Sequence, residues 1–547
     1  MGLLALGREN SMSKFKFDSL GVMIDMSRNA VMSLDGLKRF LPLLKKMGYK
    51  TVFLYTEDTY EVEGEPYFGY MRGRYSVEEM RQIDELCASL GMEAIPCIQT
   101  LAHLSTLMKW GEHPFDGEGV LLVDNERTYE LIDRMFATLS KCFKTKKVHI
   151  GMDEAHYLGR GRYLDEHGYE PVSDIMKRHL DKVCSIASKY GYEPMIWSDM
   201  FFSTITDHNY YTGKTTLPQE WIDALPENVT PIYWDYYQTK QEKFEDMLDN
   251  HLQLSDKTWF AGGIWSWTGF IPHNLFSIRS MKLAVDACRK YKTKNIFFCM
   301  WGDDGAECSH FAQLPALHYI AMYAKGITDE EKIKAKFKTL TGIAYDDFIA
   351  IDDVNNIIGY ENDNGAPCNP SKHFLLSDTF NGHFDYTVKE GCGENCAKTA
   401  EKLRAVAKQT RRFSYIFESA ACLAEVLAVK YELGVKVRRA YKAGDREELR
   451  RLADNDYAVA AGLVKKFHVA FEKQWMLDNK PYGFDVQDIR LAGVRARLES
   501  CRRRIYDYLD GNVDRIEELE CELLPFGAKE RSRLQNGSVG MMTSNFL

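Results

Sequence analysis

The chain has 547 residues, 45% hydrophobic and 12% aromatic, with a formal net charge of −9. That is apolar material for large buried cores, and the mildly acidic balance excludes the basic footprint of a protein that binds nucleic acid or an anionic membrane surface. No run of about 18 apolar residues occurs, so no membrane-spanning helix is expected.

Residues 1–17 open with MGLLALGRENSMSK. The apolar stretch there is too short for a signal-peptide core and no basic segment precedes it, so an N-terminal extension outside the fold is expected. From 18 to 340, β-branched or aromatic runs alternate with amphipathic stretches, the pattern of βα units around a parallel sheet. The candidate strands are LGVMID near 20, TVFLYT near 51, EAIPCIQ near 93, KVHIGM near 147, EPMIWSD near 193, TPIYWD near 230, WFAGGIW near 259 and NIFFCMW near 295. Between them, SLDGLKRFLPLLKKMG and SVEEMRQIDELCASLG each open at a Ser able to cap a first turn and close at a Gly. Eight such units predict a (β/α)₈ TIM barrel. No GxGxxG or Walker sequence follows a strand, which argues against a nucleotide-binding open sheet.

Residues 341–395 read as a connecting loop region, and 396–547 as an α-helical C-terminal domain rich in Ala, Leu, Glu, Lys and Arg. Its last dozen residues read as a frayed tail. The segment Asn369-Pro370-Ser371 to Asp378 reads as a polar surface connection, with reach into a partner's active site as the alternative. The 13 cysteines are scattered along the chain, which suggests reduced thiols and a cytoplasmic protein. Cys392 and Cys396 form a lone C-x₃-C without the second pair that a metal site would need.

Barrel enzymes carry their chemistry at the C-terminal ends of the strands. The ends here are Asp25-Met26-Ser27-Arg28, Glu57-Asp58, Gln99-Thr100-Leu101-Ala102-His103, Gly151-Met152-Asp153-Glu154, Trp197-Ser198-Asp199, Tyr233-Trp234-Asp235-Tyr236, Trp265-Ser266-Trp267 and Trp301-Gly302-Asp303-Asp304. The tryptophans at strands five to eight suggest flat apolar faces for a pyranose, with carboxylates and Arg for its hydroxyls. The tandem Asp153-Glu154 is the most informative pair. Glycoside hydrolysis needs an acid for the leaving oxygen and a second group to stabilise the developing positive charge. Neighbours on a strand point to opposite faces, so both can serve one site only if the backbone twists or bulges there.

These motifs resemble glycoside hydrolase family 20, the β-N-acetylhexosaminidases. His149-x-Gly-x-Asp153-Glu154 matches that family's signature. Asp25-x-Ser-Arg28, Ala102-His103, Tyr233-x-Asp235 and Trp301-Gly302-Asp303 resemble its motifs at the first, third, sixth and eighth strands. Glu57-Asp58 stands where the family commonly has Asp-Asp, and Asp303 where it commonly has Glu. The family's usual N-terminal α/β domain has no counterpart, and the barrel-plus-helices layout resembles a bacterial subgroup.

The resemblance implies an exo-acting, retaining enzyme in which the substrate's own 2-acetamido oxygen is the nucleophile. It makes Glu154 the general acid and then base, and gives Asp153 the acetamido N–H. Tyr233 would take the acetamido oxygen, with Tyr236 as the alternative. Trp197, Trp265, Trp267 and Trp301 would wall the sugar. Arg28, Glu57, Asp235 and Asp303 would hold hydroxyls, and His103 would support the acidic pair. The expected partner is a glycan with a terminal N-acetylhexosamine, with a homodimer as the oligomeric expectation and no cofactor or metal. A metal hydrolase using His149, Asp153 and His156 with His103 as a further ligand, a glycosidase with two classical carboxylates, and an inactive glycan-binding protein are the rival readings.

Overall fold

The computed structural model describes residues 15–205, 209–356, 367–524, 541–543 and 545. Most of the N-terminal extension and of the C-terminal tail, and residues 357–366 of the connecting region, lie outside the described residues. The chain forms two compact units, and it passes between them more than once. The first holds residues up to Ile264, Ser277–Trp301 and Leu317–Asp329; the second holds Trp265–Phe276, Gly302–Ala316 and Glu330 onward.

The first unit is built on a closed barrel of eight parallel strands: β1 Ser19–Asp25, β2 Thr51–Glu57, β3 Glu93–Ile98, β4 Lys147–His149, β5 Glu193–Trp197, β6 Thr230–Trp234, β7 Trp259–Gly263 and β8 Asn295–Met300. Each pairs with its neighbour in sequence, and β1 closes the ring on β8. Every residue of β1 and β2 is buried, as a strand with helices on one side and the barrel interior on the other requires. Aromatic rings fill that interior. Phe53 stacks on Phe297 at 4.2 Å, Trp259 stands edge-on to Phe53 at 6.0 Å, and Trp197 lies 6.1 Å from Phe297. The barrel is therefore a packed core with chemistry only at its rim.

The helices begin where the sequence suggested. Ser33 caps α1 (Leu34–Met47) by accepting from the Gly36 amide, and Gly48 ends it with φ of 99°. Ser76 and Glu79 form a capping box on α2 (Val77–Ser89). Helix α3 (Gln241–Leu254) packs on β6.

The second unit is helical. Its long members are α4 (Cys392–Gln409), α5 (Ser414–Lys430), α6 (Tyr457–Asp478) and α7 (Phe484–Leu509). Most of α5 is buried and none of it is fully exposed, which explains its apolar, weakly periodic sequence. Cys392 and Cys396 lie one turn apart, both buried in α4. The segment expected as a polar surface connection is instead a buried helix, Pro370–Leu376, capped by the Asn369 side chain. Lys372 is fully buried there. Its ammonium pairs with Asp304 at 3.0 Å and Glu307 at 2.8 Å, and Arg490 binds the same two carboxylates at 2.7 and 3.1 Å. Two cations against two carboxylates offset a desolvation cost that none could bear alone. Asp478 accepts from Ser309 and from Tyr415. These bonds make residues 302–316 part of the helical unit.

Candidate active site

Beyond β4 the backbone leaves the strand abruptly. Gly151, Met152 and Glu154 take φ of 72°, 69° and 49°. Left-handed backbone at two non-glycine residues is costly and persists where surrounding bonds over-determine it. The bonds are present. The Gly151 amide donates to His149 Nδ1 (3.1 Å), the Met152 amide to Gln99 Oε1 (3.1 Å) and the Glu154 amide to Asp199 Oδ2 (2.8 Å). A Cβ on Gly151 would lie 2.1 Å from Gln99 Oε1, so only glycine fits. This reversal of hand is the twist that the tandem acids need. It breaks the strand alternation and brings both Asp153 and Glu154 to His103, whose Nε2 stands 3.2 Å from Asp153 Oδ2 and 3.7 Å from Glu154 Oε2.

Asp153 is the inner member, 13% exposed, while the Glu154 side chain is 50% exposed. Gln99 donates to Asp153 Oδ1 at 2.7 Å and to the Tyr55 hydroxyl at 2.9 Å; that hydroxyl donates to Glu57. Burial pushes the Asp153 carboxyl up, but the His103 charge and the hydrogen bonds from His103 and Gln99 outweigh it and hold the carboxyl below its ordinary value. His103 responds in kind. Burial pulls its pKa down, yet the Asp153 charge and hydrogen bond lift it to about 9. Arg28 faces His103 Nδ1 at 3.3 Å and pairs with Glu57 at 3.1 Å. Burial raises the Glu57 pKa against the opposing pull of Arg28. Glu57 and His103, like Glu154, have positive φ (47° and 56°), and the β2–β3 register shifts between Tyr55 and Glu57. Asp25 sets the Arg28 turn by accepting from the Ser27 amide and hydroxyl.

Asp199 and Gln99 complete this group, although both are absent from the residues singled out by motif. Their positions at strand ends were visible; that their side chains reach back to the β4 turn was not. Asp199 is buried, accepts from the Glu154 amide and, at 3.3 Å, from Trp234 Nε1. Burial first, then the Asp153 charge, raise its pKa to about 7. Between the ordinary value of 3.8 and 7 the folded chain holds a proton that the unfolded chain releases, so this group lowers stability as pH rises through that window. Replacing Asp199 by Asn removes the effect. The difference in Tm, variant minus wild type, is expected to grow more positive from pH 5 to pH 8; a constant difference would show that Asp199 titrates as an ordinary carboxyl.

The aromatic residues divide. Trp197, 1% exposed, lies 4.3 Å from the His149 ring and 6.0 Å from Trp301, and its buried indole N–H has no acceptor among the described residues. Trp301 stands edge-on to Tyr55 at 4.7 Å. Tyr236 stacks on Trp234 at 5.3 Å and donates to Cys299 Sγ, on the barrel side. Tyr233 does not join them. Its ring packs on His251 of α3 at 4.6 Å, and its hydroxyl donates to Asp235 Oδ2 at 2.9 Å, so it belongs to the strand–helix layer. Asp235 is also turned from its expected use. It is fully buried, and its other oxygen accepts from the Tyr237 amide. Trp265 and Trp267, whose rings lie 4.5 Å apart, and Asp303, with φ of 29°, fall in the second unit.

His149 is no candidate ligand. Burial lowers its pKa to about 3, so the ring is neutral; its Nδ1 accepts from a backbone amide, which leaves the single ring proton on Nε2 and no lone pair for a metal. Among the described residues no group of three or more His, Cys, Asp or Glu could hold a metal ion.

An acidic pair, a histidine that bridges it and aromatic rings, at the C-terminal rim of a parallel barrel, form an arrangement suited to a barrel glycoside hydrolase. Family comparison agrees. Residues 41–243 match the glycosyl hydrolase family 20 catalytic domain, and residues 346–539 match the glycoside hydrolase 20C C-terminal domain. The chain belongs to glycoside hydrolase family 20. Similar curated proteins include hexosaminidase D of Homo sapiens, 25% identical over 222 residues, and hexosaminidase D of Bos taurus, 24% identical over 216. Each match covers 37% of this chain, and it spans 41% and 58% of those relatives' length. Among solved structures, the Flavobacterium johnsoniae chitobiase is 15% identical with a TM-score of 0.46, covering 92% of this chain and 74% of that one.

Proposed function

We propose that this protein is an exo-acting, retaining β-N-acetylhexosaminidase that removes terminal non-reducing β-linked GlcNAc, GalNAc or both by substrate-assisted catalysis. The observation that carries the reading is the left-handed turn after β4, which presents Asp153 and Glu154 together beside His103. Both sugars carry the 2-acetamido group on which the mechanism depends.

In the first step the substrate's acetamido oxygen attacks C1. The C1–O bond breaks, and Glu154 gives its proton to the leaving oxygen. Asp153, ionised and fixed by Gln99 and His103, accepts from the acetamido N–H and balances the oxazolinium charge. In the second step the Glu154 carboxylate takes a proton from water, water attacks C1 and the ring opens. Two inversions give net retention. Tyr236, rather than Tyr233, supplies the hydroxyl to the acetamido oxygen, because Tyr236 lies on the barrel side. The Trp197 indole N–H is a second donor for a substrate oxygen. Arg28 and Glu57 hold sugar hydroxyls.

The test is hydrolysis of 4-nitrophenyl N-acetyl-β-glucosaminide and the matching galactosaminide with EDTA present. Release from at least one, unaffected by the chelator, is expected; no release from either by folded protein would sink the reading. A cytoplasmic site of action is proposed on the free thiols of all 13 cysteines, 11 of them buried. A homodimer is proposed on the apolar side chains exposed along α6 and α7, including Val469 (59%) and Ile489 (72%). A monomer by light scattering at micromolar concentration would remove it.

A further inference from the structure

Three aromatic rings stand exposed on the loops that follow β2 and β3 at the C-terminal rim of the barrel. Tyr67, Tyr70 and Trp110 are 38%, 40% and 37% exposed, with Met71 and Met108 beside them at 66% and 41%. They form one cluster. Tyr67 stacks on Trp110 at 5.9 Å with planes 27° apart, Tyr70 meets Trp110 edge-on at 5.1 Å, and Tyr67 meets Tyr70 at 6.1 Å. Core packing does not account for them. In the same two loops Phe68 and Leu107 are fully buried and anchor the backbone, Phe68 against Tyr60 at 5.1 Å. A connection over a surface needs no large aromatic residues pointing outward, and a contiguous exposed apolar patch marks an interaction site.

The cluster is rooted in the active site. Tyr67 and Tyr70 lie on the loop that leaves β2 after Glu57, and Trp110 on the loop that leaves β3 through His103. One buried carboxylate ties the two loops together. Asp58 accepts from Arg72 (Nε 3.2 Å, Nη2 3.0 Å) and from Thr106 Oγ1 (2.9 Å). Arg72 also donates to the Ser27 carbonyl and to Asn29, on either side of Arg28. Gly69, at φ of 66°, presses the first loop so closely on Asp58 that a Cβ would lie 2.1 Å from the Asp58 carbonyl oxygen. These contacts tie the two loops that carry the aromatic rings to Asp58, the residue that follows Glu57.

We infer that Tyr67, Tyr70 and Trp110 form an accessory sugar-stacking surface, which takes pyranose rings of the glycan beyond the one being removed. The inference rests on the hexosaminidase reading for the identity of the glycan. Rigid, flat, neutral faces suit the C–H faces of a sugar and lose little side-chain entropy on binding. The loops continue directly from the strand ends that carry Glu57 and His103, which suits the cluster to sugars beyond the one being removed.

The test compares wild type, Trp110→Ala and Tyr67→Ala/Trp110→Ala on 4-nitrophenyl N-acetyl-β-glucosaminide and on a β-linked N-acetylglucosamine trisaccharide. About a tenfold loss in kcat/KM on the trisaccharide, carried by KM, is expected, with less than about a twofold change on the nitrophenyl monosaccharide. Equal losses on both substrates, or none on the trisaccharide, would overturn it. Calorimetric binding of the trisaccharide to Glu154→Gln, with and without Trp110→Ala, provides a readout that needs no turnover. About tenfold weaker binding supports the surface; equal binding overturns it. Absence of wild-type hydrolysis would count against the hexosaminidase reading, while this binding comparison would still decide the surface. Substitutions that split a dimer by light scattering and leave trisaccharide turnover intact would make the patch a contact between copies, and also overturn it.

Discussion

Replacing Glu154 by Gln is expected to slow release of N-acetylglucosamine from an alkyl or sugar leaving group by about 10²–10⁴-fold, and release from a nitrophenyl group by less. The contrast follows from the role. An alkoxide leaving group needs a proton as the C1–O bond breaks, whereas a nitrophenolate departs without one. The structure suits Glu154 to this work because it is the outer, half-exposed acid of the pair, reachable by both the leaving oxygen and water. Gln keeps the size, and the backbone bond from the Glu154 amide to Asp199 is unaffected, so the fold should hold. Measured kcat/KM on a disaccharide and on the nitrophenyl glycoside decides the matter. An equal loss on both would assign Glu154 to positioning and leave the acid unidentified.

The second large effect concerns Asp153. Asp153→Asn should cost about 10²–10³-fold in kcat on good and poor leaving groups alike, because its charge stabilises the oxazolinium rather than the leaving oxygen. The same substitution has a signature that activity alone does not show. Wild-type His103 has its pKa raised to about 9, with Asp153 as the main upward influence against burial. A histidine whose folded pKa is raised stabilises the fold fully below its unfolded value near 6.5, and that contribution is lost as pH rises through 9. With Asp153 neutral, His103 loses the largest influence that raises its pKa; Glu57 and Glu154 remain to oppose burial and Arg28, and its pKa falls. Wild type should therefore lose Tm between pH 6.5 and 9 to a degree that Asp153→Asn does not. Parallel Tm profiles for the two proteins would show that the two side chains do not share a charge interaction.

Both predictions depend on local geometry that the sequence only hinted at. The hydrophobic runs and their capping residues sufficed for eight strands, for the barrel and for a helical C-terminal region, because periodicity and caps are properties of a few neighbouring residues. The tandem Asp153-Glu154 after VHIGM was legible for the same reason. The alternation rule even stated what the backbone must do for both to serve one site, and the left-handed residues at Gly151, Met152 and Glu154 do it. Tertiary structure decided which side chains those acids meet. Gln99 and Asp199 reach the β4 turn from adjacent strands, a matter of barrel closure that no local pattern encodes. The Tyr233-x-Asp235 motif was legible too, but α3 claims the Tyr233 ring and the turn after β6 claims the Asp235 carboxylate. This leaves Tyr236 on the barrel side. A helix packed against one face of a strand determines which of two nearby tyrosines remains available to a ligand. That packing is absent from the strand's own sequence. The segment 369–378 went the same way. Its polar residues read as a surface connection until Asp304 and Glu307, far away in the chain, supplied the charges that let Lys372 be buried.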